Sequence, residues 1–148
     1  MSNTRTDALI GFHFGIEIDS KITGSFTEAS GFALETAVTE TKSVREDGTE
    51  RLQKLTGRQT IGELTLKRTF NGDKSMWEWV KAVRDGRIKD ARTTGSLVIF
   101  DQNHVEQIRY NFTEAWPSKW SVSDLDAGSD DAVIETLVLA VETLERTK

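Results

Sequence analysis

A chain of 148 residues can bury one core of ordinary size but not two, so a single domain over 1–148 is expected. Its formal charge of -5 and pI near 5.1 exclude bulk binding to phosphate backbones, which needs many clustered Lys and Arg. The absence of cysteine excludes disulfides, thiolate metal sites and a cysteine nucleophile. An apolar fraction of 36% with a mean hydropathy of -0.44 implies a lean core, with wet sheet faces or burial against neighbouring subunits.

Residues 1–8 are polar and without period, which predicts a flexible N-terminal arm. The opening MSNTRTDALIG holds no uninterrupted apolar stretch of the kind a secretion signal needs, and no run approaches a membrane span. The first strand follows, with Phe12, Phe14, Ile16 and Ile18 alternating with His13, Gly15, Glu17 and Asp19. After a turn over 20–24, the segment Gly24 to Phe32 is short and small-residued. Leu34, Thr36 and Val38 then resume a weaker alternation, half polar on both faces.

From Glu40 to Thr60 the apolar content falls away and charge of both signs surrounds Asp47-Gly48, a hairpin-turn dipeptide without strongly alternating flanks. A loop of this length in a compact domain has a task or is disordered, and residues 40–60 are expected to form a protruding arm. Its near-balanced charges are Lys42, Arg45, Arg51, Lys54 and Arg58 against Glu40, Glu46, Asp47 and Glu50. They suit docking onto another copy of the chain.

Leu64, Leu66 and Phe70 alternate with Glu63, Thr65, Lys67 and Thr69 in a further strand, which Asn71-Gly72 ends. Ser75 and Glu78 are spaced as a capping box. Met76, Trp79, Val80 and Val83 form one apolar stripe of a helix over about 75–85 that Gly86 is placed to terminate. A basic linker through Arg87, Lys89 and Arg92 leads to a strand over Ser96 to Phe100 and a turn over Asp101 to Asn103. The returning strand carries Ile108, Tyr110 and Phe112. It should end or bulge at Trp116-Pro117 and restart at Trp120 and Val122. The last segment fits a helical stripe (Ile134, Leu137, Val138, Val141, Leu144) as well as a two-faced strand (Leu137, Leu139 and Val141 against Ile134, Val138 and Ala140), and periodicity does not separate them. The elements together give a mostly β fold: an antiparallel β-sandwich or barrel-like domain with one α-helix packed on its side.

No catalytic pattern emerges. His13 and His104 stand alone, without the spacing that places two ligands on one face. Asp124, Asp126 and Glu135 fall at positions 1, 3 and 12 of a calcium loop, but Gly128 and Ser129 stand where a ligand and a glycine belong. Neither Ser25 nor Ser30 sits in a nucleophile elbow. Asn111-Phe112-Thr113 is a chance glycosylation sequon in the absence of a secretion signal. Trp77, Trp79, Trp116 and Trp120 could line a sugar or base platform, although packing is their commoner use. A carbohydrate-binding β-sandwich module is the alternative these tryptophans keep open, and a hydrolase is a remoter one.

FGIEID (Phe14 to Asp19), GSFTEASGF (Gly24 to Phe32), LTLKR (Leu64 to Arg68) followed by MWEWV, AWPSKW, and ETLVLAVETLER together resemble the tail tube, or inner tube, proteins of contractile phages and phage-derived contractile injection systems. The likeness runs in order over nearly the whole chain. It departs at Thr56, Thr69 and Val141, where the family often has proline, glycine and histidine. The resemblance implies a structural protein, not an enzyme, with no cofactor and no metal. Its subunits would form homohexameric rings stacked into a tube inside a contractile sheath, with a lumen for cargo or DNA.

It also implies partners: the sheath protein, and the baseplate, spike and tube-terminating proteins. Neither specific nucleic-acid binding nor membrane insertion is implied. The expected place is the bacterial cytoplasm during assembly, then a phage tail or injection particle. In such a tube the arm over 40–60 would contact the next ring through Lys42, Arg45, Glu46, Asp47, Glu50, Arg51, Lys54 and Arg58, and the last segment would be a closing strand from Val133 to Leu144.

Overall fold

The computed structural model of the chain describes residues 14–19, 26–128 and 130–148. The arm expected over 1–8, Phe12 and His13, the turn over 20–24, Ser25 and Ser129 lie outside the described residues. The first strand, β1 (Phe14–Ile18), is followed by β2 (Glu28–Ser30), β3 (Leu34–Val44), β4 (Glu50–Ile61) and β5 (Leu64–Thr69). Two helices come next, α1 (Ser75–Arg84) and α2 (Ile88–Ala91), and then β6 (Thr93–Phe100), β7 (Glu106–Val122), β8 (Ile134–Ala140) and β9 (Thr143–Arg146). The architecture is mostly antiparallel β, as the alternations require.

Seven strands form one sheet in the order β1-β6-β7-β8-β5-β2, with β9 pairing β7, while β3 and β4 form a two-stranded sheet of their own. The long β7 links the two halves of the main sheet. Up to Ala115 it pairs with β6, and from Trp116 to Val122 it pairs with β8. Pro117 has no N–H for the ladder, and the register shifts between Pro117 and Lys119. The strand therefore bulges there and continues. Among the described residues the sheet does not close on itself: β1 and β2 stand at the ends of the main path and β9 ends the branch from β7.

The two halves meet in one core. Leu64 and Leu66 of β5, Leu137 and Leu139 of β8, and Phe112 and Ala115 of β7 are buried with Met76 and Trp79 of α1 and Ala91 of α2. Phe32 stacks on Tyr110 at 6.0 Å and tilts against Phe112 at 6.3 Å. The Trp79 indole N–H donates to the Ala91 carbonyl at 2.5 Å, so the linker expected over Arg87 to Arg92 contains a one-turn helix tied to α1. The expected stripe of α1 packs inward as its 3.6-residue period requires, with Ala82 buried alongside it. Gly86 ends α1 at φ 82. There Arg87 N–H bonds the Ala82 carbonyl at 2.9 Å and Gly86 N–H the Val83 carbonyl at 3.0 Å, the paired bonds of a Schellman cap.

Four expectations are corrected. The capping box is absent: Ser75 gives its hydroxyl and its N–H to the Asp73 carboxylate at 2.9 and 3.0 Å, because an ionised carboxylate two residues upstream is the stronger acceptor. Phe70 is not a core residue. β5 stops at Thr69, Phe70 is exposed, and Arg68 takes the inward position after Leu64 and Leu66. The closing segment is a strand, but a break at Val141-Glu142 divides it into β8, beside β7 and β5, and β9, beside the first half of β7. Finally, residues 40–60 are not a loop. They belong to an extended hairpin.

Candidate assembly surfaces

The hairpin begins at a tight crossing of backbones. A Cβ on Gly62 would stand 2.7 Å from the Gly31 carbonyl oxygen, and one on Gly31, whose φ is 92, would stand 2.1 Å from that of Glu63. Only glycine fits either position. Gly62 N–H also bonds the Ala33 carbonyl at 2.8 Å. From this root β3 and β4 run out as an antiparallel pair to a turn at Arg45 to Thr49, where Gly48 N–H bonds the Arg45 carbonyl and Arg45 N–H the Thr49 carbonyl. Asp47 locks the turn by accepting from Thr49 Oγ1 at 2.6 Å and Thr49 N–H at 3.0 Å. These bonds, the hydroxyl's first, hold its carboxyl below the usual range.

All of β3 is exposed, as is β4 apart from Gln53 and Ile61. Side chains alternate between faces, and cross-strand partners share a face. One face therefore carries Leu34, Val38 and Val44 from β3 and Leu52 from β4, interspersed with Glu40, Lys42, Glu50 and Lys54. The other carries Thr39, Thr41, Ser43 and Gln53, with Arg51 and one large apolar residue, Leu55. Between Thr36 and Val38 the register slips, leaving an extra residue on β4 at Gly57-Arg58.

The eight arm residues expected to make contacts therefore divide. Lys42, Glu50 and Lys54 share the apolar face, Arg51 lies opposite, Arg45, Glu46 and Asp47 form the tip, and Arg58 sits at the bulge. Among the described residues no ion pair joins any two charged side chains of the arm.

Two further surfaces are open. β1 and β2 each present an unpaired edge among the described residues, a template for strand addition from another chain. The polar face over β1, β6 and β7 carries a fixed charge cluster. Arg109 bonds Glu106 through Nε at 2.8 Å and Glu17 through Nη1 at 3.0 Å, and Lys148 Nζ lies 3.9 Å from Glu106. Hydrogen bonding to Glu106, then to Glu17, raises the Arg109 pKa. The same bond keeps the Glu106 carboxyl below its usual range. Asp101 is lowered as well, first by the Val105 N–H.

The described catalytic and metal candidates are not brought together, while His13 and Ser25 lie outside the described residues. His104 lies in the exposed β6–β7 turn at φ 61. Glu135 does not face the Asp124 and Asp126 loop as a calcium ligand. It is 2% exposed, 3.7 Å from Arg68, and accepts from Trp120 Nε1 at 3.1 Å. Among the described residues no three His, Cys, Asp or Glu side chains gather as a metal set, and no helix is long and apolar enough to cross a membrane. Asn111 Oδ1 accepts from Ser96 Oγ at 2.7 Å on the sheet face. Trp77 and Trp120 meet edge to face at 5.2 Å with Arg84 over the Trp77 ring at 5.4 Å, so they form no flat open platform for a sugar ring.

Sequence reasoning missed the Gly31/Gly62 crossing, the buried Arg68–Glu135 pair and the apolar face of the arm. The signal for the pair was their phase: Arg68 continues Leu64 and Leu66, and Glu135 precedes Leu137 and Leu139.

The model of the family described as T4-like virus tail tube protein gp19 matches residues 11–145. No curated protein matches the chain. Among solved structures, a chain of the anti-feeding prophage cap (AFP tube terminating cap) has a TM-score of 0.83 at 17% identity, covering 100% of this chain and 96% of that one. A chain of the sheath-tube complex of PVC, an extracellular contractile injection system, in its extended state has a TM-score of 0.75 at 16% identity, with 95% and 91% covered. Hcp1 from Flavobacterium johnsoniae has a TM-score of 0.54 at 13% identity, with 92% and 95% covered. At these identities the structural likeness is one of fold.

Proposed function

Because this chain belongs to the T4-like virus tail tube protein family, we propose that it is the inner tube subunit of a phage tail or contractile injection system, closing into hexameric rings that stack inside a contractile sheath. The observation that carries the proposal is the combination, among the described residues, of the open edges of β1 and β2 with an exposed arm that no other strand of the subunit pairs with. Edge-to-edge pairing around a ring would remove both edges, and the arm, including Lys42, Arg45, Glu46, Asp47, Glu50, Arg51, Lys54 and Arg58, would contact the adjacent ring. The single domain over 1–148 and the N-terminal arm over 1–8 belong to the same proposal.

The work of such a subunit is mechanical. Sheath contraction drives the tube and its spike through a target envelope, and the lumen conducts cargo or DNA. Backbone ladders continued between subunits supply stiffness, and charged side chains on the arm set the register between rings. The sheath, baseplate, spike and tube-terminating proteins are its partners. It needs no cofactor and performs no catalysis. Subunits assemble in the bacterial cytoplasm before the particle acts elsewhere. Negative-stain microscopy of the purified protein tests the proposal: rings or stacked tubes are expected, and a protein that remains monomeric at high concentration overturns it.

A further inference from the structure

The hairpin of β3 and β4 has one face with four large exposed apolar residues and an opposite, mainly polar face with only Leu55 among its large apolar residues. From that asymmetry we infer that a second copy of this chain covers the face bearing Leu34, Val38, Val44 and Leu52, and that the Thr39, Thr41 and Ser43 face remains in water. The inference rests on the tube proposal and deepens it by naming which side of the arm is the interface.

Three observations support it. An isolated two-stranded sheet is at best marginally stable in water, yet here 11- and 12-residue strands pair with neither face covered. The four apolar side chains on the one face are each at least half exposed, at 53%, 63%, 72% and 53%, and they form one stripe along the arm. The charges on that face cancel: two lysines, Lys42 and Lys54, are interspersed with two glutamates, Glu40 and Glu50, and Glu40 lies opposite Lys54 in register. A face of mixed, balanced charge fits a surface that is likewise mixed, as another copy of this chain is. It does not select a strongly acidic or basic partner.

The chain has no cysteine, so a single introduced thiol reports on one position. Ser43 and Val44 are neighbours on opposite faces near the tip. Ser43→Cys and Val44→Cys proteins would each be labelled with a maleimide, as dissociated subunits and as tubes assembled from purified protein alone. In tubes the Val44→Cys thiol is expected to react at least about tenfold more slowly than in subunits, and the Ser43→Cys thiol within about threefold of its subunit rate. As a second readout, Val38→Asp with Leu52→Asp should remove tubes, whereas Thr39→Asp with Thr41→Asp should leave them, both proteins keeping the parent circular dichroism. Equal protection of both thiols, protection of the Ser43→Cys thiol alone, or no protection in well-formed tubes overturns the assignment of the face and leaves the tube proposal standing. Protection that appears only when another protein is added overturns the second copy as occupant. A parent that stays monomeric overturns both.

Discussion

The ion pair between Arg68 and Glu135 allows a prediction with an unusual sign pattern. The two residues are cross-strand partners on β5 and β8, are 3% and 2% exposed, and approach to 3.7 Å. At that distance and an effective dielectric near 20 their attraction is about 4.5 kcal/mol, and desolvating each ion costs several kcal/mol in the opposite direction. Glu135→Leu removes the attraction but leaves the guanidinium buried, and it removes the acceptor of the Trp120 N–H. Asp73, at 3.4 Å from Arg68 and 30% exposed, still faces the guanidinium and keeps the loss toward the lower end of the usual range of about 3–5 kcal/mol. For a domain of this size each kcal/mol is worth about 2–4 °C in Tm. Arg68→Met with Glu135→Leu removes both charges, and its net effect should lie within about 1 kcal/mol of the parent or be stabilising. Urea unfolding followed by tryptophan fluorescence, at a concentration where sedimentation shows a single species, measures both. A Glu135→Leu loss below about 1 kcal/mol, or a double variant as unstable as the single, would refute the reasoning.

Other consequences can be checked in the same way. Gly62→Ala places a methyl 2.7 Å from the Gly31 carbonyl oxygen, where backbone must move. It should cost about 1–3 kcal/mol and raise hydrogen exchange along the arm more than in β7 or β8, and an unchanged exchange pattern would count against the rigid root. The folded-state pKa values of Asp101 and Glu106 are depressed from 3.8 and 4.5. These groups therefore add stability above those values and lose it as the pH falls through their folded values, so the urea midpoint should drop on acidification below about pH 5. Glu106→Gln should flatten part of that drop, and a variant with the parent's full pH slope would exclude Glu106 as a contributor. Replacing Arg45, Glu46, Asp47 and Arg51 together by serine should leave folded subunits that no longer stack, and tubes of normal length from that protein would show that the tip and its charges are dispensable.

Where one face of a strand meets the core and the other meets water, the pattern was legible. β1, β5 and the first half of β7 alternate, and α1 carries its stripe at i, i+3, i+4 and i+7. Pro117 gave the bulge because a missing N–H has only one structural consequence in a ladder. Beyond the weak alternation of Leu34, Thr36 and Val38 that marked the start of β3, the rest of β3 and all of β4 were hidden for the converse reason. With both faces exposed there is no inside to alternate with, and only Asp47-Gly48 marked their turn. Arg68 and Glu135 were hidden by chemistry: an arginine in a strand suggests solvent, and a glutamate after an acidic turn suggests a ligand. Phase along the strand was the better guide, since a strand cannot rotate one residue outward without turning its neighbours with it.

A chain with so lean an apolar fraction nonetheless leaves large apolar side chains in water. Among the described residues, five of the nine exposed large apolar side chains, Leu34, Val38, Val44, Leu52 and Leu55, lie on the arm, where they add nothing to the core of their own subunit. Placed in the body they would enlarge the core. Placed on an arm held by a glycine crossing they leave the subunit's fold unchanged and make the assembly the state in which apolar area is removed from water. Four of the five share a face, and this distribution has a consequence for folding order. The body, with its core shared by β5, β7, β8 and α1, can form in a single chain, whereas the arm gains its burial only on contact. In dissociated subunits the amides of β3 and β4 should accordingly exchange faster than those of β7 and β8, and assembly should slow the arm selectively. An arm already as protected as the core in the free subunit would mean that it is stable without a partner, and would remove the physical reason for placing its apolar stripe at an interface.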